Sequence, residues 1–592
     1  MNILKNFLLG NYLMRRILSP TIIFSLLLIL LSAWPGWGAT YYIDPTCPSS
    51  GDGTTTTCGT HGPFKRWAEV TWAAGNTYSQ KGGTTVYETI KVGASGTAGN
   101  VITINSYGTG KAIIDGAITQ NPADWYGPNE NGHYYKSPGV EYLLMEDGIF
   151  LKGAWGLTAF INGTGECTPV PCGYVDWHWS GDGKYYYKPT SGVFSASRLK
   201  TVRYNGINLG YNSYITIDGL SFRNLFHSIG AHPSTYGQGS SYITVKNCNF
   251  SNANWGVNIY TATNSTNIIV TNNTCDYVGD CIELTMRHLD QDVTQTFSNS
   301  EIAYNTITNC SDIWTPSGPI LTYTWLETSR GQDAEGIGTQ NLRNSSIHHN
   351  TISGYCRGYV AYVSYKNEGY NNDIYSNYIK TRLSSLVLTP KISASSFYGN
   401  KVHHNILLSD AINYTVVLSN ITVPTASYNY FYNNTIKAKD VAIRMLATSD
   451  YWEIKNNIIY NPYRQHVNWT ESTPRSHFIF DYNLYYPLTG TTGAYKWYYN
   501  PNPKTWTTWR ELGFDANSPT PSDPLFTNGS GTLSLASDFT LQSNSHAKWA
   551  GVDVGLATDY AGNPVHNSPS IGAYEYISTT RPAAPAEVII VK

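Results

Sequence analysis

The sequence predicts an all-β chain wound into a parallel β-helix, and three observations predict it. The first is composition. Of 592 residues only 13% are charged, while 47 are Tyr, 17 Trp and 53 Gly. Aromatic side chains favour strands and glycines favour turns, and so few charges argue against long salt-bridged helices or coiled coils. The second is a repeat. A short strand ending in Asn recurs, as in I-V-T-N-N-T-C at Asn273 and I-H-H-N-T-I at Asn350. The marks fall at Cys248, Asn273, Asn305, Asn350, Asn377, Asn405, Asn434, Asn457 and Asn483, at intervals of 25, 32, 45, 27, 28, 29, 23 and 26 residues. The third is that the same turn residue returns in phase, with no hairpin turn signals between neighbouring runs. A period in the middle twenties is one turn of a solenoid whose coils bury alternate apolar residues against each other. Asn at one fixed turn position then forms a side-chain ladder, each amide bonding to the next coil.

The elements follow in order. Residues 1–39 carry Lys5, Arg15 and Arg16, an apolar run at 22–33 and the small residues Gly38 and Ala39, the pattern of a secretory signal peptide. The run is shorter than the ~20 residues of a membrane span. The mature chain is therefore expected outside the cytoplasm (secreted, periplasmic or on the cell surface), as a monomer without a membrane span. Residues 40–120 read as an N-terminal cap and first coils, with 67–74 a short amphipathic helix over the open end, where exposed strand edges would otherwise aggregate. Residues 121–200 break the repeat and are aromatic-rich, with Trp177, Trp179, Tyr185, Tyr186 and Tyr187. Residues 201–490 are the β-helix repeats, 491–577 an irregular closing segment and 578–592 a flexible tail. A formal net charge of -2 offers no basic field for nucleic acid.

Of nine cysteines, Cys47 with Cys58 and Cys167 with Cys172 bracket short loops and read as local disulfides of an oxidising compartment. Five others fall at irregular spacing within the repeats, and an odd total leaves at least one thiol free and buried.

Motifs at both ends add to this reading: Y-Y-I-D-P (41–45), D-G-T (52–54), G-P-F-K-R-W (62–67) and I-D-G (114–116), then D-P-L-F (523–526), D-V-G (553–555), D-Y-A-G-N-P (559–564) and I-G-A-Y-E (571–575). With them the chain resembles the secreted bacterial right-handed parallel β-helix proteins of the pectate-lyase-like superfamily, those of the pectin lyase fold. The resemblance covers nearly the whole mature chain. It implies a polysaccharide partner, with relatives that cleave by elimination, relatives that hydrolyse and relatives that only bind. The v-W-i-D-H and R-x-P-x-x-R motifs of pectate lyases are absent, as are the G-H-G and R-x-K of polygalacturonases, so no catalytic set transfers as a whole.

The repeat supplies a register for the site. Seven residues after the marks, and after Leu220, which lies 28 residues before Cys248 in I-T-I-D-G-L-S-F, come His227, Trp255, Asp280, Arg357 and Ser384, and alignment of C-I-E-L-T (281–285) with G-I-G-T-Q (336–340) sets Glu335 level with Asp280. Val257, Ile282 and Ile337 then point inward. Asn258, Glu283 and Gly338, and beyond them Tyr260, Thr285, Gln340 and Tyr362, point outward. Asp280, Glu283, Glu335 and Arg357 are the catalytic candidates, with Trp255, Tyr260, Tyr362 and Arg287 as substrate-binding residues. A carboxylate pair divides into acid and nucleophile or base for hydrolysis. Alternatively, Asp333 and Glu335 hold Ca²⁺ against a uronate while Arg287, His288 or Arg357 removes the α proton. An insertion at 311–332, with Trp314, Tyr323 and Trp325, emerges just before Glu335, and long solenoid loops gather on the binding side. His348-His349 and His403-His404 fill strand positions beside the ladder and read as structural. A glycan-cleaving enzyme and a non-catalytic glycan-binding surface protein both remain open at this point.

Overall fold

The computed structural model describes residues 38–128 and most of 195–578, together with the strands Tyr134–Lys136, Glu141–Glu146, Ile149–Phe150, Trp177–Trp179 and Tyr185–Tyr187. The larger stretches outside it are 1–37, 151–176, 287–293, 311–333 and 579–592. The signal peptide, the 311–332 insertion, Arg287, His288, Asp333, the Cys167/Cys172 pair and all of the tail but its first residue therefore lie outside the described residues.

One face is a 13-stranded parallel sheet running from Thr40–Ile43 to Phe478–Asp481, each strand contributed by one coil. Its inward positions stack aliphatic on aromatic: Ile302, Ile347, Ile374, Val402, Phe431, Ile454 and Phe480 pair in register and are all at most 2% exposed. After this sheet the chain turns through a single left-handed residue. Asn272, Tyr304, His349, Ser376, His404, Asn433, Asn456 and Tyr482 have φ between 50° and 58°, and each directly precedes a ladder Asn. The earlier coil at Leu220 has Gly219 in this place, with φ 68°. Tyr, Ser and His seldom adopt this conformation, so the amide network beside it must hold the corner.

That network is continuous. The side-chain amide of Asn273 donates to Asn305 Oδ1, and the same bond repeats through Asn350, Asn377, Asn405, Asn434, Asn457 and Asn483 at 2.9–3.1 Å. Each Oδ1 also accepts the backbone N–H of the preceding rung, as in Asn350 N–H to Asn377 Oδ1, 3.0 Å. The second Nδ2 hydrogen takes a backbone carbonyl, as in Asn350 to Ile302 O, 2.9 Å. Buried amides are thereby satisfied rather than stranded. The last rung, Asn483, donates to Asp515 Oδ1. That carboxylate is fully buried, and burial raises its pKa against the lowering effect of bonds from Ser518, Trp509, Asn483 and Tyr485. A second ladder stands at another corner, where Asn372 donates to Asn400 and Asn400 to Asn429 at 2.8 and 2.9 Å. Ser300 and Ser345 hold that position in the coils before it.

Beyond the first ladder the chain forms two further faces. In the early coils they are continuous long strands, Leu220–Ala231, Asn249–Thr261 and Thr274–Met286. Later they separate into shorter ones, such as Thr351–Gly354 and Arg357–Val363. The aromatic-rich interruption includes a separate antiparallel sheet of Tyr134–Lys136, Trp177–Trp179 and Tyr185–Tyr187.

The N-terminal helical cap is a correction. Only Trp67–Glu69 is helical, as one 3₁₀ turn, and the chain is already extended at Val70. Arg66 supplies no side-chain cap, and β-branched Val70 and Thr71 favour extended backbone. The end is plugged by side chains instead: buried Trp67 donates Nε1–H to Gln80 Oε1 at 2.8 Å and stacks on Trp72. The C-terminal end is closed by the helix Trp506–Glu511, whose Trp509 is buried against Phe480, Trp497 and Phe514. Residues beyond it fold back over the outer face of the middle sheet. There Phe526, Leu533, Phe539 and Ile571 bury Tyr378, Ile406, Ile458 and Leu484.

The disulfide Cys47–Cys58 is present as expected. Two others join repeat cysteines, Cys275–Cys281 and Cys310–Cys356, and Cys248 is the buried free thiol among the described residues.

Candidate functional site

Parallel pairing stacks the outward positions into columns about 4.8 Å apart per coil. One column runs Asn205, His227, Trp255, Asp280 by direct pairing, and Glu335 pairs with Arg357 two residues before the Ile337–Tyr359 pair. Ile282 pairs with Ile337, which sets Asp280 level with Glu335. The neighbouring column runs Asn208, Gly230, Asn258, Glu283, Gly338, Val360. The register read from the repeat is the register of the fold.

These columns line a cavity of about 260 Å³ walled by Trp255, Tyr260, Asp280, Glu283, Glu335 and Tyr362, with Thr285, Gly338, Thr339 and Gln340. Six of the residues nominated from the repeat thus meet in one place, by construction of the alternating strands. Arg357 stands behind the wall: its Nη1 donates to Tyr362 OH at 3.0 Å and lies 3.8 Å from Glu335 Oε1. Tyr362 OH in turn donates to Glu335 Oε1 at 3.2 Å. Glu335 is 8% exposed, so these contacts act in a poorly hydrated setting where charge interactions are strong.

The three carboxylates are not equivalent. Asp280 Oδ1 accepts the backbone N–H of Glu335 at 2.6 Å and so fixes the strand that carries it. Glu283 Oε2 accepts from Asn258 Nδ2 at 2.5 Å. Glu335 Oε2 lies over Gly338, where a Cβ would stand 2.3 Å from it and 3.6 Å from Glu283 Cγ, so the two acids border one glycine. Any side chain there would clash with Glu335 Oε2. Gly338 is the lining position that the candidate set left out. Its signal was a glycine in an outward column between a Glu and a coil bearing Arg357. Burial raises the pKa of the Tyr260 phenol, and the charge of Glu283 raises it further, so Tyr260 presents a neutral hydroxyl.

Asp333, the candidate calcium ligand beside Glu335, lies outside the described residues. Among the described residues, no three carboxylate or imidazole groups at this site bring ligand atoms within 4.8 Å of one another. The group that meets the distance elsewhere is Asp44 with Cys47 and Cys58, whose sulfurs are bonded to each other. The histidine pairs are held within the first sheet. His403 Nε2 lies 2.9 Å from Asp373 Oδ1, His348 Nε2 lies 3.3 Å from Glu301 Oε1, and Tyr375 stacks between the two rings.

Neither a family model nor a curated protein matches the chain. Solved structures do. XylC, solved in complex with xylose, is 14% identical over 91% of this chain and 98% of its own, with TM-score 0.54. The fold is a parallel β-helix. Pectate lyase Pel9A aligns over 92% of this chain and 98% of its own at 13% identity and TM-score 0.36. The PL6 family alginate lyase AlyGC aligns over 85% and 57% at 11% identity and TM-score 0.32. On this β-helix the candidate site lies on early-to-middle coils, clear of the closing segment. No described helix is long and apolar enough to cross a membrane.

Proposed function

We propose that this chain is a carbohydrate-active enzyme that hydrolyses glycosidic bonds, with Glu283 and Glu335 as its working carboxylates. The observation that carries the reading is that both acids line one aromatic-walled cavity and border the same glycine, Gly338. Glycoside hydrolysis needs one carboxyl to protonate the leaving oxygen and a second, ionised, to act as nucleophile or to activate water. Glu335 suits the ionised role, because Tyr362 and Arg357 stabilise negative charge on Oε1. Glu283, whose Oε2 is tied to Asn258, then serves as the acid on the opposite side. Asp280 is a positioning residue, acting through the Glu335 amide. Trp255 and Tyr260 offer apolar surface and a hydroxyl to a sugar ring. XylC was solved with xylose bound, which is consistent with a saccharide as the ligand class.

A screen of neutral and uronate glycans tests this. New reducing ends without the ultraviolet absorbance of an unsaturated uronate end are expected. That absorbance would replace hydrolysis by elimination. Glycan binding without any new ends would leave a binding protein.

A further inference from the structure

A second cavity lies on the later coils, where the strands Tyr378–Thr381, Ile406–Ser409 and Thr435–Ala438 end. It measures about 240 Å³, and Lys380, Ser409, Asp410, Lys437, Lys439 and Asn461 are in its wall. The stacking of coils explains its charge. Lys380 pairs with Leu408 and Leu408 with Lys437. Two lysines of one outward column therefore stand roughly 10 Å, or two coil spacings, apart with a buried leucine between them. Lys439 follows Lys437 two residues on, and its N–H bonds Ser409 O beside Asp410. Lys380 itself pairs with Ser353, on the coil that carries Arg357. The cavity thus begins one coil beyond Arg357 and shares no wall residue with the carboxylate cavity.

Its charges are not balanced. Among the described residues, no carboxylate lies within ion-pair distance of Lys380, Lys437 or Lys439. Lysines of the first sheet behave differently: Lys81 Nζ reaches Asp44 at 2.8 Å and Lys246 Nζ reaches Asp218 at 3.5 Å, each on an adjacent coil. Asp410 offsets at most one of the three positive charges. Asp538, which also acts on Lys437, is engaged by the N–H groups of Ser534 and Leu535 and by the Asn528 amide. Burial lowers the pKa of Lys437, and the charge of Lys380 lowers it further against the opposing pull of the two aspartates. Like charges therefore face each other in a partly dehydrated recess, and an anion between them would remove the repulsion.

The donors are free to receive one. An ammonium group has three N–H bonds. Lys437 commits one to Leu533 O at 2.9 Å, which steadies the side chain, and Lys380 and Lys439 commit none among the described residues. Lys380 and Lys437 are half-buried, while Lys439 and Asn461 are exposed, so the recess is open to solvent. Compact ammonium groups of this kind bind carboxylate and sulfate oxygens as point charges.

We propose that this cavity is a second ligand site, which holds an oxyanion, the carboxylate or sulfate group of an acidic sugar or of a free anion, between Lys380, Lys437 and Lys439. It goes beyond the hydrolase reading and does not rest on it.

The test titrates the full chain with sodium sulfate, galacturonate, oligogalacturonates and cello-oligosaccharides by calorimetry, at low and high salt. Saturable binding of sulfate or galacturonate is expected, weaker in high salt. Lys380→Gln and Lys439→Gln should each weaken it about tenfold, the scale of one lost charge-assisted contact. Asp410→Asn should tighten it, and Arg357→Gln should leave it unchanged. Lys437 is spared because it also holds the closing segment, and unfolding midpoints confirm that the variants fold. Oligogalacturonates that bind more tightly than galacturonate identify an acidic glycan as the source of the anion, and equal affinities identify a free anion. No saturable binding of sulfate or galacturonate, or affinity unmoved in both lysine variants, overturns the site. A loss in Arg357→Gln as large as in the lysine variants moves the anion to the carboxylate cavity and overturns it too, as does cello-oligosaccharide binding that depends equally on the lysines. Hydrolysis is read separately from new reducing ends, so either reading can fail while the other stands.

Discussion

Two columns of equivalent positions run along this β-helix, and they are built on opposite rules. The ladder column repeats Asn on eight consecutive coils from Asn273 to Asn483, turned inward and fully buried. The site column changes at every step, through Asn205, His227, Trp255, Asp280, Glu335 and Arg357. A ladder works only if each rung matches its neighbours in shape and hydrogen bonding. A reactive site works only if unlike groups, an acid, an arginine and a ring, lie one coil apart. Uniformity along the axis marks scaffold, and variety marks chemistry.

The contrast breaks first if the site column tolerates change. Glu335→Gln and Glu283→Gln should each lower turnover on the true substrate at least about 100-fold, the low end of what a positioned acid or base contributes. Both should keep the fold, since each amide matches the size of the acid it replaces. Near-normal turnover in either would move the chemistry elsewhere. Asp280→Asn should cost less than either, because it acts through the Glu335 backbone.

The ladder should respond in stability and not in chemistry. Asn350→Ala or Asn377→Ala strips bonds from buried neighbours on both sides and should destabilise by about 1–3 kcal/mol in urea unfolding. An effect within error at both would show that the rungs are not cooperating.

Protons sharpen the comparison next. Burial holds the folded-state pKa of His404, beside rung Asn405, well below its ordinary value. Above about pH 6.5 the residue is neutral folded and unfolded, and pH has no leverage through it. Below that value the unfolded chain takes up the proton and the native state does not, so stability falls by about 1.4 kcal/mol per pH unit. His404→Asn, which suits the left-handed corner, should flatten the acid limb of the stability profile by about that slope. An unchanged limb would mean that other groups carry it. The smallest effect expected is none: for the hydrolase reading EDTA should leave turnover unaltered, and a loss restored by Ca²⁺ would favour the calcium-assisted alternative with Asp333 and Glu335 as ligands.

Much of this was legible in the sequence, for a physical reason. Inward aliphatics and a repeated polar turn residue leave a period, and the period fixes which outward residues share a column. Asp280, Glu283 and Glu335 could thus be set beside Trp255 without coordinates. What was hidden depends on contacts that leave no period. The second ladder has only Asn372, Asn400 and Asn429, preceded by serines, too short and mixed to stand out. The pairs Cys275–Cys281 and Cys310–Cys356 lie 6 and 46 residues apart and become visible only once coils are stacked. At 67–74, Trp67 and Val70 have the three-residue spacing of one helical face, but β-branched Val70 and Thr71 favour the extended backbone that the chain adopts from Val70. The close approach of Glu335 Oε2 over Gly338 requires knowing what a missing side chain leaves room for.

The Cys310–Cys356 bond joins the end of the strand Thr306–Cys310 to the neighbour of Arg357 and closes a loop with a sequence separation of 46 that contains Glu335. Peptide-bond scission anywhere between these cysteines therefore yields two fragments still joined by a covalent bond, and a cut before Glu335 leaves Glu335 and Arg357 together on the tethered C-terminal fragment. As long as the bond stays oxidised, the integrity of the molecule at this point is a matter of connectivity. A reductant added after nicking should separate on a denaturing gel what the bond had kept as one molecule.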